Sequence, residues 1–164
     1  MRFARRIGLL LGLLVAVPAW AQTLDLGRPA PGVSLNDVAG RTHHLSEYQG
    51  GAVLLNFWAT WCVPCRTEMP SMERAYRRLK EKGLVVLAVS MDVGRGPVEV
   101  FVKELGLTFP VLLDPQGECS HAYRVLGLPT SYLIDREGRL VAREIGPRDW
   151  GAGEGLRKLE ALVK

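Results

Sequence analysis

The sequence predicts an α/β fold in which a central mixed sheet is flanked by helices on both faces. Two apolar runs, 53–58 and 84–89, are interrupted only by Asn56 and are typical of strands buried on both faces, as in a parallel sheet. Between them, apolar residues recur at the three- and four-residue spacing of a helix. Two later runs, 130–134 and 140–144, are joined by a short polar turn and predict a hairpin.

The segments before the first buried strand predict a lead-in and a small hairpin. Residues 22–32 contain two prolines and two glycines and predict no helix or strand. Residues 33–45 predict a hairpin with its turn at Ala39-Gly40-Arg41. The folded domain is therefore expected to span residues 33–164.

A long helix is predicted from Cys62 to about Lys82, directly after the first buried strand. Arginines and lysines cluster in its last turns, where they complement the helix dipole, and Gly83 ends it. Pro70 lies inside this segment and is expected to kink it. The apolar face is formed by Met69, Met72, Ala75, Tyr76 and Leu79.

The second half of the chain supplies the remaining elements. Trp150 and the glycines at 151, 153 and 155 predict a loosely packed approach to the last helix. The elements predicted after the second buried strand are a helix at 97–105 ended by Gly106, a strand at 109–113, a turn at 114–117, one helical turn at 120–123, and a closing helix with Leu156, Leu159, Leu162 and Val163 on its apolar face.

Residues 1–21 are expected to be a secretory signal peptide. A basic start is followed by an uncharged apolar stretch at 7–17 and by Pro18-Ala19-Trp20-Ala21, which ends in the Ala-x-Ala pattern of a cleavage site. The stretch has about half of the ~20 residues that a spanning helix needs, so an uncleaved membrane anchor ranks second. We therefore expect an exported protein, in the periplasm or on the extracytoplasmic face of the cell membrane.

Charge and length exclude several classes of function. Three of the 21 basic residues and none of the 17 acidic ones lie in 1–21, so the remaining chain carries 18 against 17, a net charge of +1. Such a balance gives no case for binding nucleic acid or an anionic membrane. The remaining 143 residues suit one domain with its own core. We expect a monomer that needs no cofactor and binds no metal.

Cys62 and Cys65 are predicted to be a reactive pair. Cys62 begins a helix, where free backbone N–H groups and the dipole favour an anion and so lower the pKa of a thiol. Cys65 follows one turn later on the same face, where the helix shelters it. Pro64 is tolerated in the first helical turn because that turn does not use its missing N–H.

Two other roles for the cysteine pair are weaker. A structural disulfide across two residues closes almost no loop and would stabilise little. A zinc site needs four ligands, and the sequence has no second Cys-x-x-Cys or Cys-x-x-His pair. The pattern therefore favours thiol–disulfide exchange, in which Cys62 attacks a target disulfide and Cys65 then releases the reduced target.

Two motifs are similar to those of a known family. Residues 57–65, Phe-Trp-Ala-Thr-Trp-Cys-Val-Pro-Cys, resemble the active-site signature of the thioredoxin superfamily. The following Arg-Thr-Glu-Met-Pro at 66–70 and the stretch 127–135 resemble its exported TlpA/ResA/DsbE-like branch, and residues 86–92 and 97–113 look like the central insertion of that family. The resemblance covers about residues 30–163 and implies a thioredoxin-like fold.

The resemblance also implies how a client is held. It implies that Pro129 is cis and lies beside Cys62 and Cys65, which would leave the backbone of Leu128 free to pair with an extended client peptide. We expect Trp61 to be an exposed apolar contact for clients and Trp58 to lie in the core.

Glu68 is the candidate proton acceptor. Thioredoxins have a buried aspartate six residues before the first cysteine, and this chain has Asn56 there. Glu68 follows Cys65 by one helical turn, where the TlpA/ResA branch also has a glutamate, so we expect it to replace that carboxylate at a raised pKa. The alternative is a solvated glutamate on the helix surface.

The other candidate residues are expected to be structural. Cys119 is interpreted as a small buried hydrophobic residue, although a third redox thiol or an intermolecular partner is an alternative. Adjacent strand residues point to opposite faces, so His43 and His44 make a poor metal pair. His121 is expected on the surface.

The function predicted from these observations is an exported protein-disulfide reductase. The family resemblance implies clients such as apocytochrome c or copper-site cysteines, and a membrane protein that supplies electrons. The alternatives are a Cu(I) metallochaperone that uses the same cysteines, a thiol peroxidase, and a general protein reductase without a dedicated client.

Overall fold

The computed structural model describes residues 24–164, so the predicted signal peptide lies outside the described residues. Within that range no helix is long and apolar enough to cross a membrane. The strands are β1 (Ser34–Asn36), β2 (Thr42–His44), β3 (Ala52–Trp58), β4 (Leu84–Ser90), β5 (Val111–Leu113), β6 (Thr130–Ile134) and β7 (Leu140–Ile145). The helices are α1 (Val63–Leu79), α2 (Arg95–Leu105), α3 (Glu118–Ala122) and α4 (Gly153–Leu162).

The central sheet is mixed, as predicted. Its strand order is β5-β4-β3-β6-β7, and the predicted hairpin forms a separate two-stranded sheet of β1 and β2. Strand β3 pairs in parallel with β4 and antiparallel with β6. All seven residues of β3 are buried, because alternate side chains enter two separate apolar clusters on the two faces of the sheet.

Helix α1 places the cysteine pair at the end of the central strand. Cys62 caps the helix, which runs unbroken through Pro70 to Leu79 and continues as a short 3₁₀ turn up to Gly83. Gly83 has a φ of 94°, a conformation that glycine adopts without steric cost. The predicted apolar face is confirmed, with Met69, Met72, Ala75 and Leu79 fully buried against the sheet.

Three elements begin two residues away from their predicted starts. Strand β5 begins at Val111 rather than 109, because Pro110 has no N–H to donate to the ladder. Helix α2 begins at Arg95 rather than 97. Helix α3 begins at Glu118 rather than 120, since the Asp114 carboxylate accepts the N–H groups of the first helical turn at 3.2 and 2.8 Å.

The prediction of a loose approach to the last helix is wrong. Trp150 is completely buried. A Cβ atom at Gly155 would lie 2.4 Å from the backbone oxygen of Asp149, and one at Gly151 would lie 3.1 Å from that of Ser71. Gly151 and Gly155 therefore permit close packing of backbone segments. Such a segment has the same glycine-rich composition as a flexible loop.

Candidate active site

Cys62 and Cys65 form a disulfide at the start of α1, with their Cα atoms 5.3 Å apart. The backbone N–H of Cys65 points at the Cys62 sulfur, 3.3 Å away. Cys62 is 6% exposed and Cys65 only 1%, so Cys62 is the outer sulfur and Cys65 the inner one. In the reduced pair the same N–H and the helix dipole favour a thiolate at Cys62.

A buried aspartate fixes the turn that precedes the disulfide. The Asp92 carboxylate accepts the backbone N–H of Thr60 at 2.9 Å and its hydroxyl at 2.5 Å, and it also accepts the Ser90 hydroxyl at 2.8 Å. Sequence reasoning missed Asp92. The available signal was its position just after β4, because the ends of two parallel neighbouring strands meet at one edge of a sheet.

An open apolar groove of about 620 Å³ lies beside Cys62. Three apolar side chains on its walls are largely exposed: Trp61 at 68%, Val63 at 72% and Leu126 at 91%. The rest of the wall is formed by Pro64, Met91, Val125, Gly127 and Leu128. Exposed apolar surface of this kind is typical of an interaction site, and the exposure predicted for Trp61 is confirmed, as is the complete burial of Trp58.

The Leu128–Pro129 peptide bond is cis, as the resemblance implied. Leu128 lies on the groove wall with Cys62, and its backbone groups make no backbone hydrogen bond to any residue in 24–164. The Pro129 carbonyl accepts the N–H of Gly146 at 2.9 Å. Free backbone groups on the wall of the groove beside the disulfide are what strand addition by a client peptide requires.

Glu68 is buried, with 3% of its surface exposed, so the alternative of a solvated glutamate is wrong. Burial raises the pKa of its carboxyl to about 7. The hydrogen bond from the Trp150 indole, the nearby Arg148 backbone and charge, and the Asn56 side chain all lower the pKa of Glu68 and so act against that rise. A pKa near neutrality suits a group that must take up and release a proton.

Asn56 occupies the position at which ordinary thioredoxins have a buried aspartate. It is completely buried on β3, and its amide nitrogen donates to the Ser131 hydroxyl at 2.8 Å. Its side chain also contacts the Glu68 carboxyl. The helix glutamate and the strand asparagine therefore meet in the interior, and Glu68 lies one helical turn along α1 from Cys65.

The histidines lie away from the disulfide. His43 is buried, and its ring bonds to the Tyr48 hydroxyl and, at 2.8 Å, to the Asp37 carboxylate, which ties the β1–β2 hairpin to the following turn. His44 and His121 are exposed. His43 and His44 thus point to opposite sides of their strand, and His121 lies on the surface, as predicted.

Cys119 is buried among apolar side chains of the second cluster, as predicted. Burial, with a contribution from the nearby Asp114 charge, raises the pKa of its thiol to about 12. A thiol that is neither accessible nor ionised at neutral pH is a poor nucleophile.

Alkylation of the oxidised native protein at neutral pH is therefore expected to leave Cys119 unmodified for hours, whereas the denatured protein should take up one label within minutes. Mass spectrometry of both samples measures this, with the Cys119→Ser variant as the control that takes up none. Rapid labelling of the native protein would contradict the interpretation of Cys119 as a buried structural residue.

Comparison with known proteins shows what this arrangement resembles. Residues 26–143 match the model of the AhpC/TSA family. The thiol-disulfide oxidoreductase ResA of Geobacillus kaustophilus is 40% identical over 147 residues, which cover 85% of this chain and 84% of that protein. ResA of Bacillus subtilis is 38% identical over 144 residues, or 83% of this chain and 80% of that protein.

Solved structures give the same picture. A thiol:disulfide interchange protein DsbE from Chlorobium tepidum superposes with a TM-score of 0.81 at 35% identity, covering 87% of this chain and 100% of that one. StoA from Bacillus subtilis superposes with a TM-score of 0.67 at 27% identity, covering 79% and 96%. Both similarities extend over most of the residues described above.

Proposed function

This chain belongs to the AhpC/TSA family and is a thioredoxin-like thiol-disulfide oxidoreductase of the ResA and DsbE type, and on that premise we propose that it reduces disulfides in exported client proteins through Cys62 and Cys65. The observation that carries the proposal is the position of the outer sulfur. Cys62 caps a helix and opens onto an exposed apolar groove, while Cys65 lies behind it.

Reduction of a client takes two exchanges. The Cys62 thiolate attacks one sulfur of the client disulfide, which forms a mixed disulfide and releases the other client sulfur as a thiolate that takes up a proton. Cys65 then loses its proton and attacks the Cys62 sulfur, which gives the disulfide seen here and frees the second client thiolate. Two electrons pass from the cysteine pair to the client, and no other oxidant or reductant is consumed.

Glu68 accepts the Cys65 proton in the second exchange. Cys65 is sheltered from water, so a base within the protein must take that proton. Glu68 follows it by one helical turn, and its pKa of about 7 leaves a useful fraction ionised at neutral pH. Pro64 holds the first helical turn, and Trp61 with the Leu128–Pro129 segment receives the client.

The setting of the reaction rests on the sequence. Residues 1–21 predict export to the periplasm or the extracytoplasmic face of the membrane. There, apocytochrome c or copper-site cysteines would be oxidised clients, and a membrane protein would return electrons to the Cys62–Cys65 disulfide. We propose that the protein acts as a monomer on these clients.

The test is a trap in the native compartment. Cys65→Ser cannot complete the second exchange, so this variant should accumulate mixed disulfides on Cys62 that non-reducing electrophoresis resolves and mass spectrometry identifies. We expect at least tenfold more trapped client than with the wild-type protein, because resolution by a neighbouring thiol normally empties the intermediate.

The matched control is the Cys62→Ser, Cys65→Ser double variant, which keeps the groove but has no nucleophile. Trapped proteins that persist in this control would come from Cys119 or from non-covalent association. Absence of any Cys62-linked protein from the single variant, at wild-type expression, would overturn the proposed function.

A further inference from the structure

Trp150 joins the approach to α4 to the candidate proton acceptor on α1. Its indole N–H donates a hydrogen bond to Oε1 of Glu68, and both side chains are buried. Trp150 belongs to the same buried apolar cluster as Cys65 and is not among the residues that line the groove beside Cys62.

The backbone around Trp150 is fixed to the same turn of α1. The Ser71 hydroxyl donates to the Glu68 carbonyl at 2.7 Å and accepts the Trp150 backbone N–H at 3.1 Å. Gly155 allows this segment to pack closely on itself, since a Cβ there would meet the Asp149 backbone oxygen. The indole is thus held from both ends, and it cannot turn away from Glu68 without breaking these contacts.

The contact distinguishes the two oxygens of the Glu68 carboxyl. An indole N–H is a donor only, so Oε1 is occupied whether or not Glu68 carries a proton. Oε2 is buried and has no hydrogen-bond partner among residues 24–164, and the same holds for Oδ1 of Asn56, whose side chain contacts this carboxyl. A buried acceptor without a donor is costly, and a proton on Oε2 supplies a donor where the protein has none.

We propose that Trp150 is the positioning residue for the proton acceptor: its indole N–H occupies Oε1 of Glu68 and so reserves Oε2, beside Asn56, to receive the proton that Cys65 gives up. This inference rests on the proposed function and adds a residue to it. Trp150 touches neither the client nor a reacting sulfur, and it acts only through Glu68.

The charged and titrating groups near Glu68 set the direction of the expected effect. On its own helix these are the Cys65 thiol and Arg74, and from the segment before α4 they are Arg148 and Asp149. A donor stabilises the ionised carboxyl, so removal of the indole N–H raises the pKa of Glu68 above about 7. A rise of about one unit lowers the ionised fraction at neutral pH roughly fivefold.

The experiment separates the two exchanges. The reduced protein is mixed with one equivalent of an aromatic disulfide whose thiolate is coloured. The first equivalent of colour reports attack by Cys62, and the second reports attack by Cys65 on the mixed disulfide. Measured across pH, the second phase of Trp150→Phe should have its midpoint about one pH unit higher than the wild type, and it should be about fivefold slower at pH 7. The first phase should be unchanged.

Trp58→Phe is the matched control. Trp58 is also a completely buried indole in the same cluster, but its N–H has no partner among the described residues, so its removal should leave both phases unchanged. If Trp150→Phe folds poorly, benzothienylalanine at position 150 keeps the ring shape, lacks the N–H and should give the same shift.

The Glu68→Gln variant separates failure of this inference from failure of the proposed function. The role of Trp150 alone would be overturned if the second phase lost its pH midpoint in Glu68→Gln but kept an unshifted midpoint in both position-150 variants. A second phase that Glu68→Gln leaves unaltered would overturn the role of Glu68 and this inference with it. Trp150→Phe in the Glu68→Gln background should produce no further change.

Discussion

Replacing Glu68 by Gln is expected to slow attack by Cys65 on the mixed disulfide about 100-fold at pH 8, because a positioned general base contributes at least that factor. The dependence of this step on a group with a pKa of about 7 should disappear. Attack by Cys62 should keep its rate, since Cys62 takes its ionisation from the helix start rather than from Glu68. The two-phase aromatic disulfide assay measures both rates.

The same substitution should stabilise the protein at alkaline pH. The folded-state pKa of Glu68, about 7, lies above its ordinary value of 4.5, so the folded state holds its proton more tightly than the unfolded state. The free energy of unfolding of the wild type therefore falls as pH rises from about 4.5 to about 7 and stays lower above that range. Glu68→Gln removes this loss and should be more stable above pH 7 by up to ~3 kcal/mol, as measured by urea denaturation.

Glu73→Gln is a control on the same helix, and its expected effect on stability is opposite because the pKa of Glu73 is lowered rather than raised. Burial acts to raise the pKa of Glu73, but hydrogen bonds from Thr108 and from Arg77, with the Arg77 charge, outweigh it and lower the pKa. Its carboxylate thus contributes stability above pH 4.5 that is lost as pH falls through the lowered pKa. This variant should lose stability at neutral pH and keep both exchange rates. Equal pH profiles for the wild type and Glu68→Gln would contradict the assigned role of Glu68.

Gly155→Ala is expected to destabilise the protein by ~2–4 kcal/mol, an effect at the upper end of overpacking substitutions. The added Cβ would lie 2.4 Å from the Asp149 oxygen and 3.2 Å from the Trp150 Cα, and backbone atoms cannot rotate aside as a flexible side chain can. The segment that carries Trp150 must move, so the second exchange should slow together with the loss of stability. Urea denaturation and the two-phase assay measure the two effects.

Gly96→Ala is the control for this substitution. Gly96 lies in the first turn of α2, its φ is negative, and a Cβ there would meet no atom within 4 Å. Alanine lowers the entropy of the unfolded chain and favours the helix, so this variant should be more stable by ~0.5–1 kcal/mol. A Gly155→Ala protein as stable as the wild type would mean that the packing described between Asp149 and Gly155 does not constrain Trp150.

Some elements were misplaced by sequence reasoning for a common reason. The start of β5 depends on Pro110, and the start of α3 depends on the Asp114 carboxylate. These elements have three and five residues, which is too short for a repeating apolar pattern to mark their ends. Trp150 was interpreted as part of a loose segment because glycines mark both flexible loops and close backbone packing. Composition alone does not separate these two uses.

The sequence by itself determined the strand that leads into Cys62, the helix that begins there, and the order of the outer and inner sulfur. These features depend on local periodicity, capping and a two-residue spacing, all of which act over one or two helical turns. Only the tertiary structure decided the burial of Glu68, its hydrogen bond to Trp150 82 residues later, and the attachment of Thr60 to Asp92. A pKa depends on whatever the fold brings within a few ångströms, and no pattern in the neighbouring sequence records those contacts.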